Sequence, residues 1–158
     1  MINAILLLSI LPFIFKIVIS DITCYEPGPT PFRPPDPVEC FATIEAISDI
    51  PNQERIRRFI RRRLCPVSTD ATKVPLMLEK PNCRITIFIA PEDRSEDAES
   101  YANVVTVANK LVDKCMLAGI QSSRLGGTAT LGLHHWMRIS INLPARLESN
   151  STLEVGTS

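Results

Sequence analysis

Two hydrophobic periods alternate along the chain, and they predict most of its elements. Apolar residues recur every three or four positions over residues 38–48, 52–64 and 96–118, which predicts three amphipathic helices. Pro51 and Pro66 end the first two, because proline lacks an amide hydrogen and disfavours helical backbone at the residue before it. The acidic residues at the start of the third helix favour its positive N-terminal end.

Strict alternation predicts strands in the second half of the chain. Residues 83–89 place four apolar side chains on one face, and residues 128–131 and 135–143 continue the pattern behind a glycine pair. Residues 66–82 carry three prolines and indicate a loop. The element order predicts an α+β fold, with a small antiparallel or mixed sheet of about three to four strands and two or three helices packed on one face.

The two ends of the chain differ from its middle. Residues 1–20 are mostly apolar, but a spanning helix of about 20 residues would have to accommodate Pro12 and Lys16. A signal peptide with small residues before its cut fits better, and a retained anchor stays open. Residues 145–158 are polar and without period, which predicts a flexible tail, and Asn150 begins a glycosylation sequon there.

A proline-rich arm joins the signal peptide to the fold. Six of the eleven residues 27–37 are proline, a density that excludes helix and central strand. We therefore expect residues 21–37 to form an extended arm and residues 38–144 to form a single domain. A chain of 158 residues with 45% apolar composition is not disordered as a whole. Its 17 basic and 17 acidic side chains balance, so composition gives no support for a nucleic-acid partner.

Five cysteines predict disulfides, since they follow a predicted signal peptide and include no CxxC pair typical of a metal site. Cys40 and Cys115 lie on the apolar faces of two predicted helices, and Cys83 begins a strand near the arm that carries Cys24. We prefer the pairing Cys40–Cys115 with Cys24–Cys83. Four cysteines allow three pairings, so the others stay open. Cys65 is then a buried spare thiol, a member of a different pairing, a site of intermolecular bridging or a reactive thiol.

An arginine-rich segment lies in the second predicted helix. Six arginines against one glutamate give residues 54–63 a local charge of +5 around a narrow apolar stripe. The six are Arg55, Arg57, Arg58, Arg61, Arg62 and Arg63. A basic amphipathic helix is typical of contact with an anionic lipid surface or a polyanion. The other two interpretations are a solvated face opposite the acidic residues 92–99 and a dibasic processing site.

No catalytic, cofactor or metal set is visible in the sequence. The motifs GxSxG and HExxH are missing. His134 and His135 are adjacent, so that on a strand they point to opposite faces. The acidic stretch 92–99 lacks the spacing of a calcium loop. We therefore predict a protein that is not an enzyme, has no cofactor and binds no metal, and in which the two histidines are structural.

Several short motifs resemble those of small secreted proteins of filamentous fungi. They are Cys-Tyr-x-Pro at residues 24–27, Val-Glu-Cys-Phe-Ala-Thr-Ile at 38–44, Val-Pro-Leu at 74–76 and Asn-Cys-Arg-Ile-Thr-Ile at 82–87. The likeness runs over residues 24–143 and extends more distantly to effector domains of the necrosis-inducing-factor type and to killer-toxin α/β sandwiches. It implies a disulfide-stapled extracellular α+β domain that acts by binding, and it carries over no catalytic residue.

Pattern and resemblance together predict a secreted, non-enzymatic, effector-like protein that binds an extracellular or host target. The expected partner is an extracellular protein, a glycan or an anionic lipid surface. Two alternatives stay open. One is a membrane-acting toxin that uses the basic helix 54–64, and the other is a small hydrolase.

Overall fold

The structure is a computed structural model that describes residues 21–26, 33–62, 71–118 and 125–144. Within these ranges the chain forms eight strands and two helices. The strands are β1 (Ile22–Cys24), β2 (Ile56–Arg61), β3 (Ala71–Val74), β4 (Leu76–Lys80), β5 (Cys83–Ile89), β6 (Glu96–Ser100), β7 (Gly127–Leu131) and β8 (Met137–Asn142). The helices are α1 (Pro37–Ser48) and α2 (Tyr101–Val112), and α2 continues into a π-helical turn over Asp113–Leu117.

The larger sheet has five antiparallel strands in the order β1-β7-β8-β5-β4. Its central strands β5 and β8 alternate apolar and polar residues, so one face is a layer of buried aliphatic side chains. The register places Ile85 opposite Ile141 and Ile87 opposite Ile139. Helices α1 and α2 pack beside each other on this face and close the core.

Four predicted elements are confirmed by the structure. The strand expected over residues 83–89 is β5, the two strands expected behind the glycine pair are β7 and β8, and the first expected helix is α1. Helix α1 begins where Asp36 Oδ1 accepts a hydrogen bond from Val38 N at 2.9 Å. Pro37 follows as the first helical residue, where a missing amide hydrogen costs nothing.

The smaller sheet has the strand order β3-β2-β6, with β2 parallel to β3 and antiparallel to β6. Phe59 of β2 joins the main hydrophobic core, where its ring meets Tyr101 edge-on with 5.7 Å between the ring centroids. Tyr101 Oη and Thr72 Oγ1 are 2.9 Å apart and share a hydrogen bond, which ties β3 to the start of α2. The chain passes from this sheet to the larger one through Val74–Pro75, whose peptide bond is cis.

The expected single small sheet with two or three helices on one face is wrong. The described residues hold eight strands in two sheets, and only two helices. Residues 52–64, predicted as a helix, contain β2, and residues 66–82, predicted as a loop, contain β3 and β4. Arginine has a high helix propensity, but β2 has a paired strand on each side, and these pairings decide its conformation.

The predicted helix over residues 96–118 is wrong in its first turn and a half. Those residues form β6, and α2 begins only at Tyr101, where Ser100 Oγ accepts a hydrogen bond from Asn103 N at 3.2 Å.

A second correction concerns the start of the arm. Ile22–Cys24 is strand β1, which pairs with β7 at the edge of the larger sheet.

Two disulfides tie the helical layer to the larger sheet. Cys24 on β1 is bonded to Cys115 in the π-helical turn, and Cys40 on α1 is bonded to Cys83 on β5, each pair with its Cα atoms 5.2 Å apart. The four cysteines predicted to form disulfides do so, but the preferred pairing is wrong. Cys115 lies beyond the end of α2 and over β1, a strand that the sequence pattern does not predict. Cys65 lies outside the described residues.

Removal of either disulfide is expected to destabilise the fold strongly. Cys24 and Cys115 are separated by 91 residues, and Cys40 and Cys83 by 43. The loop-closure model then gives about 4.6 and about 4.0 kcal/mol of lost stability. Urea unfolding of the two double alanine variants measures both losses. Peptide mapping of the non-reduced protein checks the pairing, and a peptide that joins Cys40 to Cys115 would contradict the structure.

Candidate functional site

The arginine-rich segment lies on strand β2 rather than on a helix, so its side chains point alternately to two faces. Arg57 and Arg61 share the inner face with Phe59. Arg57 Nη2 donates a hydrogen bond to the Pro51 carbonyl oxygen at 3.0 Å, and its Cζ lies 5.6 Å from the Tyr101 ring centroid. This arginine therefore supports the fold through local contacts.

The outer face of β2 carries a different set of contacts. Arg58 forms an ion pair with Glu96 on β6, which brings the basic and acidic segments together. Arg55 and Arg62 are exposed, and Arg63 lies outside the described residues. The predicted basic helix is wrong, because a strand divides these charges between two faces. Contact of the arginines with an anionic surface stays a prediction.

A buried carboxylate on β6 organises the turn between β7 and β8. Asp97 is 4% exposed, and its oxygens accept hydrogen bonds from three backbone amides of that turn. The donors are His134 N to Oδ1 at 3.1 Å, Trp136 N to Oδ2 at 2.9 Å and Met137 N to Oδ2 at 3.3 Å. Ala98 N adds a fourth bond, to Oδ1 at 2.8 Å. Because hydrogen bonds to an ionised acceptor are stronger than neutral ones, this single side chain fixes the whole turn.

Glu99 lies two residues along β6, hence on the same face, and holds the start of the turn. Its Oε2 accepts a hydrogen bond from Gly132 N at 3.0 Å, while Leu133 N donates to the backbone of β6 at 2.8 Å. Gly132 has a φ of +89°, and a Cβ there would overlap Asp97 Oδ2. His135 has a φ of 61°, which costs a non-glycine residue about 1–3 kcal/mol. The turn thus holds a strained backbone in place.

Side chains of this turn, together with Arg94 from the segment before β6, form a partly exposed aromatic and cationic surface. The Cζ of Arg94 lies 4.4 Å from the Trp136 ring centroid, and the centroid of the His134 ring lies 4.7 Å from it. Leu133 beside them is 70% exposed. We call Arg94, Leu133, His134 and Trp136 the tip surface. Since the carboxylates of β6 already fix the backbone beneath it, this surface is organised before a partner arrives.

The side chains of the tip surface are arranged for contact with a partner molecule. His134 Nδ1 lies 3.6 Å from Asp97 Oδ1, a contact between a half-exposed ring and a buried carboxylate that orients the imidazole. In the described ranges, no group of three or more His, Cys, Asp and Glu side chains is placed to hold a metal ion. None of the helices described is long and apolar enough to cross a membrane.

Sequence reasoning missed this site. The sequence pattern places the acidic residues at the start of a helix. It predicts that His134 and His135 are structural and does not predict that a turn exposes them. Asp97 and Glu99 are two residues apart, which is the period of a strand. This spacing is the signal that could have indicated two carboxylates on one face of a strand.

The chain has no match among protein-family models, curated proteins or solved structures. The resemblance to small secreted fungal proteins therefore rests on its sequence motifs alone. Residues 1–20 and 145–158 lie outside the described residues. The signal peptide, the tail and glycosylation at Asn150 accordingly stay predictions.

The face of the larger sheet that points away from the helices is polar. Four hydroxyl side chains lie in one row across neighbouring strands, namely Thr23, Thr128, Ser140 and Thr86. Tyr25 follows β1 on the same side. Burial raises the pKa of the Tyr25 phenol above its ordinary value, and the positive charge of Arg138 lowers that pKa in part.

The raised pKa of Tyr25 is expected to weaken the fold at alkaline pH. Its contribution is fully present below the unfolded-state pKa of about 10 and is lost as pH rises through the higher pKa of the folded state. Urea unfolding at about pH 8 and about pH 11 measures the loss. Tyr25→Phe should lose less stability over this interval than the wild type. An equal loss in wild type and Tyr25→Phe would contradict the assignment.

Asp97→Asn tests the carboxylate that holds the turn. The amide keeps the shape, but it removes the charge and turns a donor group toward backbone donors. We expect a loss of at least about 3 kcal/mol in urea unfolding. The matched control is Asp93→Asn, whose carboxylate is 72% exposed in its pair with Arg94 and should change stability by less than about 0.5 kcal/mol. Similar losses in the two variants would show that Asp97 has no special role.

Proposed function

We propose that the protein is a secreted, non-enzymatic, effector-like binding protein that contacts an extracellular or host target protein through the tip surface. The observation that carries the proposal is the cluster of hydrogen bonds on Asp97. The turn that this buried charge holds contains both a glycine without room for a Cβ and a histidine with positive φ. Strain of this kind is concentrated where a structure must present particular side chains.

The composition of the tip surface favours a protein as the partner. Tryptophan and arginine are enriched among the residues that dominate binding energy at protein interfaces. Here Trp136 and Arg94 are stacked on each other, and Leu133 on the same turn as Trp136 is 70% exposed. A surface that is ordered in advance loses little conformational entropy on association. A small contact area can then give useful affinity.

Secretion is supported by the disulfides and by the pattern of residues 1–20. The bonds Cys24–Cys115 and Cys40–Cys83 are of the kind that persists in oxidising compartments. The fungal resemblance of the motifs at 24–27 and 82–87 supports the same proposal. An extracellular location would place the tip surface where a host or cell-wall component can reach it.

We propose neither the membrane-acting toxin nor the hydrolase as a second function. The membrane-acting toxin depended on a basic helix over residues 54–64, and Ile56–Arg61 is a strand. A hydrolase needs an activated nucleophile, and among the described residues the His134 ring contacts the Asp97 carboxylate and the Trp136 ring but no hydroxyl or thiol. No contact among the described residues favours either activity.

Leu133→Asp is the sharpest test of the tip surface. A charge at an exposed apolar anchor should weaken target binding about 30-fold, which corresponds to the loss of a typical interface hot spot. Leu117→Asp is the matched control, because Leu117 is 53% exposed and lies at the far end of α2, away from the tip surface. Binding of the fluorescently labelled mature protein to isolated plant and fungal cell walls gives the measurement.

Pretreatment of the walls separates the classes of target. Loss of binding after protease treatment, with the difference between the two leucine variants, supports the proposal. Loss only after glycosidase treatment would replace the protein target by a glycan. Equal binding by Leu133→Asp and Leu117→Asp would contradict the role of the tip surface. Dye leakage from anionic vesicles would instead favour the membrane-acting alternative.

A further inference from the structure

A groove of about 410 Å³ lies where the two sheets meet, on the side of the larger sheet that faces away from the helices. It is lined by Arg61, Val74, Pro75, Thr86, Phe88 and Ile89. Thr86 and Phe88 belong to the polar face of β5, while Arg61 and Val74 end the two parallel strands of the smaller sheet. The groove exists because the chain bends at Val74–Pro75 to leave one sheet and enter the other.

Most of the wall of this groove is apolar. Val74 and Ile89 are buried, and Phe88 is half-buried although it lies on the polar face of the sheet. Its volume lies near the lower end of the range of about 300–1,000 Å³ that is typical of small-molecule sites. The groove therefore fits a small ligand with an apolar portion and is too small for a folded partner.

Arg61 gives the groove a positive charge that no carboxylate among the described residues pairs with. Its Nε donates to the Arg94 carbonyl oxygen at 2.8 Å, and its Nη2 donates to the carbonyl oxygens of Ile89 at 2.8 Å and Pro91 at 2.5 Å. All three acceptors are neutral. Arg58, three residues earlier on the same strand, is by contrast paired with Glu96. These three bonds use Nε and Nη2 and leave the Nη1 edge of the Arg61 guanidinium for another acceptor.

We propose that this groove binds a single-chain amphipathic carboxylic acid. The alkyl chain lies against Pro75 and Phe88, and the carboxylate accepts a hydrogen bond from Nη1 of the Arg61 guanidinium. An apolar wall and an unmatched planar cation, which suits carboxylate oxygens, together select this class of ligand over a neutral one. The groove adjoins the tip surface through the backbone of Arg94, but its proposed ligand does not depend on the function proposed for that surface.

The single tryptophan of the chain reports on this groove. Arg61 holds the Arg94 carbonyl, and the Arg94 guanidinium stacks on Trp136. Phe88 also lies opposite Arg138 of β8, which is two residues after Trp136 in the sequence. A carboxylate that engages Arg61 should therefore change the fluorescence of Trp136, with a midpoint that matches the calorimetric affinity.

The first experiment is calorimetric titration of the full mature protein with hexanoate, octanoate and decanoate, each below the concentration at which it forms micelles. Octanol is the neutral probe. We expect saturable binding of one molecule per chain. Each added methylene should raise affinity about fourfold until the groove is full, from its transfer free energy. Octanol should bind at least tenfold more weakly than octanoate, because it cannot use the positive charge.

Two threonine variants locate the site. Thr86→Phe fills the groove with a side chain that strands accept readily, and it should weaken octanoate binding at least tenfold. Thr23→Phe is the matched control, since Thr23 lies in the same row of the same face but three strands away, at the sheet edge. It should leave the affinity unchanged within twofold. Phe88→Ala gives an independent test if Thr86→Phe fails to fold, and circular dichroism checks both.

Several outcomes would overturn the proposal. These are the lack of saturable binding by any of the three acids, equal affinities for octanoate and octanol, or equal losses in Thr86→Phe and Thr23→Phe. Binding to phosphatidylglycerol vesicles without binding to dissolved octanoate would assign the arginines to a membrane surface instead. Chain-length dependence that is lost in Thr86→Phe and kept in Thr23→Phe would establish the groove as the site.

Discussion

The carboxylate of Asp97 is the interaction on which the joint between the two sheets depends. It belongs to β6 in the smaller sheet, yet its hydrogen-bond donors lie on the turn that leads into β8 of the larger one. An unsatisfied buried carboxylate is costly, so the two sheets cannot separate at this point without exposing it or leaving it unpaired. The same bonds set the positions of the tip side chains. Fold stability and the presentation of a binding surface therefore rest on one group.

The local pattern of apolar and polar residues predicts an element correctly where that element has one buried face and few charges. The alternation over residues 83–89 and the helical period over 38–48 both match the structure. It failed for β2 and β6, whose runs of arginine and glutamate have high helix propensity when each is considered alone. They become strands because they pair with each other across 35 or more residues, with Arg58 opposite Ala98 and beside Glu96. No window along the sequence contains both partners.

The same limitation explains what was predictable about the cysteines and the site. The likelihood of disulfides followed from composition and a predicted signal peptide, but the pairing required β1, a strand of three residues beside a proline-rich stretch. The arginines, histidines and acidic residues could all be singled out as candidate chemistry. Their grouping could not, because Arg94, Asp97 and Trp136 come together only when the β7–β8 turn meets β6. Local sequence patterns do not show which residues that are far apart along the chain come together in the fold.

The pairing of β1 with β7 also constrains the order in which the protein can be completed during synthesis. Cys24 lies opposite Gly127 in the register, so the first strand emerges from the ribosome long before its neighbour exists. Until then β1 cannot pair with β7, and the Cys24–Cys115 disulfide cannot form, because Cys115 also emerges late. Cys40 and Cys83 can meet earlier. Among the described strands, β1 is thus synthesised before the others but is one of the last to be paired.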